Sequence, residues 1–190
     1  MSDLRVVQAD DLPFIRWKNG GGLARDLLRW PQADDWLVRV SIADLLDDGP
    51  FSPYPGIDRW FGVLTGDGVE LQWTRAVRRM DRGRKLLHFD GAMVPHACLM
   101  GGPVAALNVM ARQRAVRVKV EPAEQGRPAP QGYSHAALFA RDPLVLRPTD
   151  QAPLTLPAFS LAWGPRSEAL VELPGQAHGW WIAFDREGIA

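Results

Sequence analysis

The sequence has little cysteine, no excess of charge of either sign and no long apolar run, and each shortage excludes a class of protein. Cys98 is the single cysteine of 190 residues, so no disulfide can form within the chain. Basic and acidic residues number 22 each, so no net positive field draws the chain to nucleic acid. No run approaches the roughly 20 apolar residues that cross a bilayer, and the opening "MSDLRVVQADD" lacks the apolar core of a signal peptide. We therefore expect a cytoplasmic protein that binds neither nucleic acid nor membrane.

The common signatures of metal binding and catalysis are also missing. The four histidines, His88, His96, His135 and His178, are scattered, without a His-x-His or His-Glu-x-x-His pattern. His88 and His96 could meet across a hairpin, but two ligands are too few for a metal site. There is no Gly-x-Ser-x-Gly, Gly-x-Gly-x-x-Gly or Walker motif, and the apolar neighbours of Cys98 are typical of a packing residue. The sequence thus predicts no metal, no cofactor and no catalytic residue of these kinds.

Short strand and turn signals occur along the whole chain. The segment "DWLVRVSIADL", residues 35–45, alternates between two kinds of side chain, as a strand with two different faces does. Two further strands are predicted on either side of Gly66-Asp67-Gly68, the strongest hairpin signal in the chain. Short helices are predicted only near "ADDL" (9–12) and "GGPVAALNVMA" (101–111). Together these patterns predict an all-β sandwich or barrel, with the Pro/Gly-rich break at 121–132 between two halves that share a core.

The tract "RWKNGGGLARDLL", residues 16–28, has two interpretations that the residues leave open. Consecutive glycines can turn backbone N–H groups to one side and form an anion-binding nest, to which Lys18 would add charge and Asn19 further donors. Alternatively, the glycines serve a tight turn or β-bulge that needs positive φ.

Three other polar features stand out. Ser52, Asp58 and Arg59 lie close together in "FSPYPGIDRW", and an arginine offers a planar fork for a carboxylate. The alternative is a surface ion pair between Asp58 and Arg59 or a near neighbour, which contributes little. Asn108, within an apolar segment, must find partners if it is buried, or else caps a local turn. The basic stretch at 75–85 is interpreted as a solvated hairpin tip or loop.

Taken together, four segments resemble the HutD/Ves family: "WKNGGG" followed by an arginine, "SIADLLDDGPFSPYPGIDRW", "LTGDGVEL" and "GGPVAALNVMARQ". The resemblance is strong over residues 5–115 and thinner to about 185. It implies an all-β cupin fold (an RmlC-like jelly roll). It also implies a bicupin, with two β-barrel-like halves of about 1–120 and 133–190 in one compact domain of residues 1–190, and without the metal ligands of many cupins.

The resemblance also implies a ligand pocket and a role. Family members are often encoded with histidine-utilisation genes and are thought to modulate that pathway by binding a small anionic metabolite such as urocanate or formiminoglutamate, whereas Ves proteins are associated with stress. Where this chain has Ala24, the family often has threonine, so one polar contact is missing here if that hydroxyl contacts the ligand. The residues that match the motifs are the candidate pocket: Trp17, Lys18, Asn19, Gly21, Gly22, Arg25, Ser52, Arg59 and Asn108. Within it, Arg59 is expected to pair with a carboxylate, across the pocket from the glycine tract.

Two other functions are kept as alternatives. A metal-independent cupin enzyme (a lyase, isomerase or hydrolase of a small carboxylate) would use Lys18 or His96 as its base. An interaction protein, for instance a homodimer, would use one of Trp180 and Trp181, which fall on opposite faces of a predicted strand, unless both are covered.

Overall fold

The regular structure of this chain is almost entirely β. A computed structural model describes residues 4–17, 20–83, 85–149, 151–165 and 169–187. Within these, the only helical element is a 3₁₀ turn, Ala9–Asp11. The strands are β1 (Arg5–Gln8), β2 (Ile15–Arg16), β3 (Gly22–Trp30), β4 (Val38–Leu45), β5 (Gly49–Pro50), β6 (Ile57–Thr65), β7 (Val69–Trp73), β8 (Ala76–Met80), β9 (Leu87–Asp90), β10 (His96–Leu99), β11 (Val104–Arg112), β12 (Val116–Pro122), β13 (His135–Ala140), β14 (Leu144–Pro148), β15 (Leu154–Leu156), β16 (Ser160–Pro165), β17 (Ala169–Glu172) and β18 (Gly179–Arg186). The predicted all-β class is confirmed. None of the helical structure in the described ranges has the length and apolarity that a membrane span needs.

The strands divide into two compact units. The first unit is Leu12–Gln113, and the second unit combines Met1–Asp11 with Arg114–Ala190. The division falls just before β12, ahead of the Pro/Gly-rich break at 121–132, and β1 pairs with β16 of the second unit. That the whole chain forms one compact domain stays a prediction.

The first unit consists of two antiparallel sheets around one apolar core. One sheet has the strand order β2-β3-β4-β11-β6-β9, and the other β5-β10-β7-β8. The first sheet contributes Ala43, Phe61 and Ala106 to the core, and the second contributes Leu71 and Ala97. Because side chains alternate along a strand, these residues define the inward face of each strand.

The second unit repeats this plan on a smaller scale. Its sheets have the orders β1-β16-β13-β18-β12 and β15-β14-β17. Leu138 and Trp181 of the larger sheet and Leu146 and Val171 of the smaller one share a core. Trp180 and Trp181 are both buried, so neither supplies the exposed aromatic face that was considered above. A homodimer formed by other residues stays a prediction.

Two local predictions are wrong, and both fail for tertiary reasons. The strands beside Gly66-Asp67-Gly68 exist but do not pair, because β6 belongs to the six-stranded sheet and β7 to the four-stranded one. Gly66 makes this corner with φ +87°, and a side chain there would meet the Pro103 carbonyl at 2.6 Å. The helix predicted within 101–111 is instead β11. Its apolar run fits a strand buried on both faces, and this tertiary setting outweighs the helix propensity of Ala, Leu and Met. The 3₁₀ turn Ala9–Asp11 fits the helix predicted near "ADDL".

Candidate functional site

The inward face of the six-stranded sheet changes from apolar to polar along its strands. Leu45 of β4 and Val104 of β11 pair at one end and belong to the core. Further along β4 the same face carries Ser41, which pairs with Asn108, and then Arg39. In the six-stranded sheet, strand register therefore places polar and charged side chains at one end of the barrel interior.

Arg59 is the most buried charge at this polar end. It lies on β6 and pairs with Met110 of β11, which in turn pairs with Arg39 of β4, so the three residues lie side by side across the sheet. Only 6% of the surface of Arg59 is exposed. Among the described residues, no carboxylate lies within 4.0 Å of its guanidinium, and its buried Nε has no hydrogen-bond partner. Burial lowers the pKa of Arg59 to about 10, with Tyr54 opposing the shift and Arg39 adding to it. The group thus stays charged at neutral pH.

Two of the predicted site residues contact Arg59 directly. Its Nη1 donates to the backbone carbonyl of Ser52, and its Nη2 donates to Oδ1 of Asn108, each at 3.4 Å. Both contacts are longer than a typical N–H···O bond of 2.9–3.0 Å. They therefore leave much of the hydrogen-bonding capacity of the guanidinium available to an anion.

Aromatic rings surround the same guanidinium. Its Cζ lies over the rings of Phe51, Phe89 and Tyr54, at 4.9, 5.3 and 5.6 Å from their centroids. Such cation–π contacts stabilise a positive charge from its faces. Hydrogen bonds to a carboxylate use the N–H groups in the guanidinium plane, so the two kinds of contact do not compete.

The other charges at this end are already paired. Asp26 of β3 accepts from Arg39 at 2.7 Å and from Arg29 at 2.5 Å. Together with Arg59, the charged residues that the structure describes in this cluster are three arginines and one aspartate. The local field is therefore positive and favours a bound anion.

Asp58 and Arg59 do not pair with each other. Adjacent residues of a strand point to opposite faces, and Asp58 instead contacts His88 at 3.3 Å and Gln113 at 3.1 Å. Asn108 lies within β11, so it does not cap a turn.

The glycine tract forms a turn between β2 and β3. Gly20 donates to the Trp17 carbonyl, and Trp17 donates to the Gly22 carbonyl, each at 3.0 Å. Gly20 has φ +76°, and a Cβ on Gly22 would lie 2.5 Å from the Asp44 carbonyl and 3.0 Å from the Trp17 ring. These two glycines thus fit the interpretation as a turn with a close backbone approach. Lys18 and Asn19 lie outside the described residues.

The structure does not bring this tract into contact with Arg59. Gly22 pairs with Leu45, and about 20 Å of strand separates Leu45 from Arg39, which is in line with Arg59. Trp17 and Gly21 instead line a cavity of about 20 Å³ together with Phe51. Phe51 thus belongs both to this cavity and to the surroundings of Arg59, because its ring also contacts the Arg59 guanidinium.

Arg25 also lies apart from Arg59. It follows Ala24, which is buried on the inward face, so its own side chain leaves the opposite face of β3. There its guanidinium stacks on Phe14, with Cζ 4.8 Å from the ring centroid. It also lowers the pKa of Asp44, although burial outweighs it and raises that pKa.

The described residues include neither a cluster of metal ligands nor an activated thiol. No three His, Cys, Asp or Glu side chains within the described ranges are placed to hold a metal ion. His88 and His96 are in different sheets, so they do not meet across a hairpin. The Cys98 thiol is half-buried rather than buried. Partial burial, Asp48 and Glu70 all raise its pKa, which opposes a nucleophilic role.

Sequence reasoning missed five residues of the site. Phe51 and Tyr54 stand in the same loop as Ser52, so the clustering of rings beside an arginine was a usable signal. Arg39 belongs to the alternation in β4, but alternation alone does not say which face is inside. Asp26 and Phe89 carry no local signal, because only strand pairing brings them near Arg59.

The amino-acid sequence of this chain matches one protein-family model and several relatives in other bacteria. The HutD family model matches residues 9–181. Over 127 residues the chain is 32% identical to an uncharacterised 21.2 kDa protein from the hutC 3′ region of Pseudomonas putida, covering 64% of this chain and 65% of that protein. Over 116 residues it is 32% identical to the protein Ves of Citrobacter koseri, covering 60% and 61%. The matches thus span somewhat less than two thirds of these relatives' length.

Two solved structures share the fold over nearly the whole chain. A conserved protein of unknown function from Pseudomonas aeruginosa PAO1 has a TM-score of 0.83 at 26% identity, covering 97% of this chain and all of that one. HutD from Pseudomonas fluorescens SBW25, in a formate condition, has a TM-score of 0.84 at 19% identity, with coverage of 97% and 100%. The fold is therefore cupin-like.

Proposed function

This chain belongs to the HutD family, and we propose that it binds a small carboxylate metabolite of histidine utilisation through Arg59. The observation that carries the proposal is a buried guanidinium without a carboxylate partner among the described residues. A charge removed from water is expensive unless it is paired. A bound carboxylate supplies that pair, in a fork geometry suited to arginine.

The ligand class follows from the surroundings of Arg59. The guanidinium contacts three aromatic rings, an amide oxygen and a backbone carbonyl, so a ligand bound to it would carry one anionic head beside an apolar surface. Urocanate and formiminoglutamate, which carry carboxylates, are the candidates within histidine utilisation. The proposal includes a modulating role in the cytoplasm. It also includes a bicupin architecture, and the presence of two sheets in each unit supports this architecture.

Binding is favoured over turnover because the described contacts of Arg59 are aromatic rings, an amide and a backbone carbonyl, and none of these is a general base. His96, one of the two bases considered from the sequence, lies on β10 on the face opposite to the core residue Ala97. The other, Lys18, lies outside the described residues. An enzyme therefore remains the second choice.

A thermal-shift panel tests the proposal. Formate, urocanate, formiminoglutamate and formylglutamate are added at millimolar concentration, with formamide as a neutral match for formate. A ligand at ten times its Kd stabilises the folded state by about 1.4 kcal/mol, so at least one carboxylate is expected to raise the melting temperature. If all four leave it unchanged, the histidine-pathway ligand is excluded.

Asn108→Asp is expected to weaken carboxylate binding about tenfold, the size of one charge-assisted contact. The new carboxylate would replace an amide oxygen 3.4 Å from Nη2 of Arg59 and act as an internal counter-ion. It would both neutralise the arginine and repel the ligand. Titration calorimetry with the best carboxylate of the panel measures the loss.

Asn108→Ala is the matched control, since it removes the same amide without adding charge. We expect it to bind within about threefold of the parent protein, because the lost contact is long and lies at the weak end of the usual range, about 0.6 kcal/mol. Equal affinities for the Asp variant and the parent protein would contradict a ligand carboxylate on Arg59.

A further inference from the structure

A second cavity, larger than the space beside Trp17, opens in the first unit where the two sheets end. It has a volume of about 550 Å³ and lies between the β7–β8 hairpin and β9. Within the described strands, β8 is an edge of one sheet and β9 an edge of the other, so no ladder closes the barrel between them. The volume lies within the usual range of about 300–1,000 Å³ for small-molecule sites.

The walls of this cavity are apolar and largely aromatic. Trp73, Leu87, Phe89 and Val94 line it, and all four also pack against the core of the first unit. Trp73 and Phe89 meet edge to face, with centroids 5.6 Å apart. The indole N–H of Trp73 already donates to the Met93 carbonyl at 2.9 Å, which fixes the ring. The walls therefore offer a preformed surface for a planar apolar group.

Two arginines of the basic stretch line the same cavity. Arg75 lies in the turn of the β7–β8 hairpin, as predicted for a hairpin tip, and Arg78 lies on β8. Arg78 pairs with Leu71, a core residue, so its side chain leaves the inward face of the sheet. Its Nη1 donates to the Val77 carbonyl at 3.0 Å. Among the described residues, no carboxylate pairs with Arg75 or Arg78.

The neighbouring arginine behaves differently. Arg79 lies on the outward face of β8, where it pairs with Glu70 at 3.1 Å. On β8, Arg79 is thus neutralised by Glu70 on the outward face, whereas Arg78 faces the cavity without a carboxylate partner among the described residues. An unneutralised cation beside an apolar wall favours an anion whose body is apolar.

We propose that this cavity is a binding site for a planar aromatic or conjugated carboxylate. The ring of the ligand packs against Trp73 and Phe89, and its carboxylate contacts Arg78 and Arg75. Arg59 does not line the cavity, so this site does not depend on the function proposed for Arg59. Phe89 is shared, because the face of its ring also contacts the Arg59 guanidinium.

The test uses trans-cinnamate as probe and cinnamamide as its neutral match. Binding is followed by the indole N–H signal of Trp73 in ¹H–¹⁵N spectra, assigned with Trp73→Phe, and by titration calorimetry. Cinnamate is expected to shift this signal and to bind more tightly than cinnamamide. Arg75→Ala combined with Arg78→Ala is expected to weaken cinnamate binding about five- to tenfold and leave cinnamamide unaffected. Because the arginines are exposed, raised salt weakens cinnamate binding as well.

Arg79→Ala is the matched control, and it should bind cinnamate as the parent protein does. Arg59→Met, which is expected to lose small carboxylates, should keep cinnamate, so the two proposals fail separately. The proposal is overturned if cinnamate leaves the Trp73 signal unmoved at millimolar concentration, or if cinnamamide binds equally well. Equal losses in Arg79→Ala and the double variant would also overturn it, since they would reflect net charge alone.

Discussion

Replacing Arg59 with methionine is expected to abolish the response of the protein to small carboxylates while leaving the ligand-free protein at least as stable. Hydrogen bonds to a charged group contribute about 1.5–3 kcal/mol each, so losing the fork should lower affinity at least 100-fold. Methionine has a similar length and packs well on aromatic rings, so Phe51, Tyr54 and Phe89 keep a neighbour. The variant also removes a buried charge and its unpartnered Nε. Melting temperatures with and without the best carboxylate of the panel measure both effects.

Two companion variants separate charge from geometry. Arg59→Lys keeps the charge but loses the planar fork, and it should bind with an intermediate affinity. Arg16→Met removes an exposed arginine of the same unit and should change neither stability nor binding. If Arg59→Met instead lowers the melting temperature and retains the carboxylate response, Arg59 serves the fold through its three rings and the proposed site is wrong.

The sequence predicts strands well here because their signals are local. Alternation in residues 35–45 identified β4, and Gly and Pro marked many of the turns. It could not say which face of β4 is inside. Arg39 and Ser41 belong to the more polar face, yet this face points into the barrel, where Asp26 neutralises Arg39 and Ser41 is buried.

Pairing between distant strands is what the sequence does not show. Arg59 and Asn108 were both selected as site residues, but their contact depends on the register between β6 and β11. The same limit explains the wrong hairpin, because the turn at Gly66-Asp67-Gly68 looks alike whether its strands pair or separate into two sheets. Local signals predict turns, and only the packed core decides what each turn connects.

Gly22→Ala is expected to destabilise the protein by about 3 kcal/mol, at the upper end of the usual cost of overpacking. The added Cβ would lie 2.5 Å from the Asp44 carbonyl, which β3–β4 pairing holds in place. It would also press on the Trp17 ring at 3.0 Å, and that ring packs on the core of the first unit. Neither neighbour can move without disturbing other contacts. The free energy of unfolding in urea measures the loss, and Gly49→Ala, where a Cβ meets nothing within 4 Å, should leave it unchanged.

Gly20→Ala separates the two interpretations of the glycine tract. The added Cβ would meet no atom within 4 Å, but the backbone at this position has φ +76°, which alanine disfavours. We expect a loss of about 1 kcal/mol from the left-handed conformation and a folded protein. If the glycines serve only the turn, this variant responds to carboxylates as the parent protein does. A folded Gly20→Ala that no longer responds would restore the anion nest beside Lys18 and Asn19. Since about 20 Å of strand lies between the level of Gly22 and that of Arg59, such a loss would place the ligand at the glycine tract rather than at Arg59.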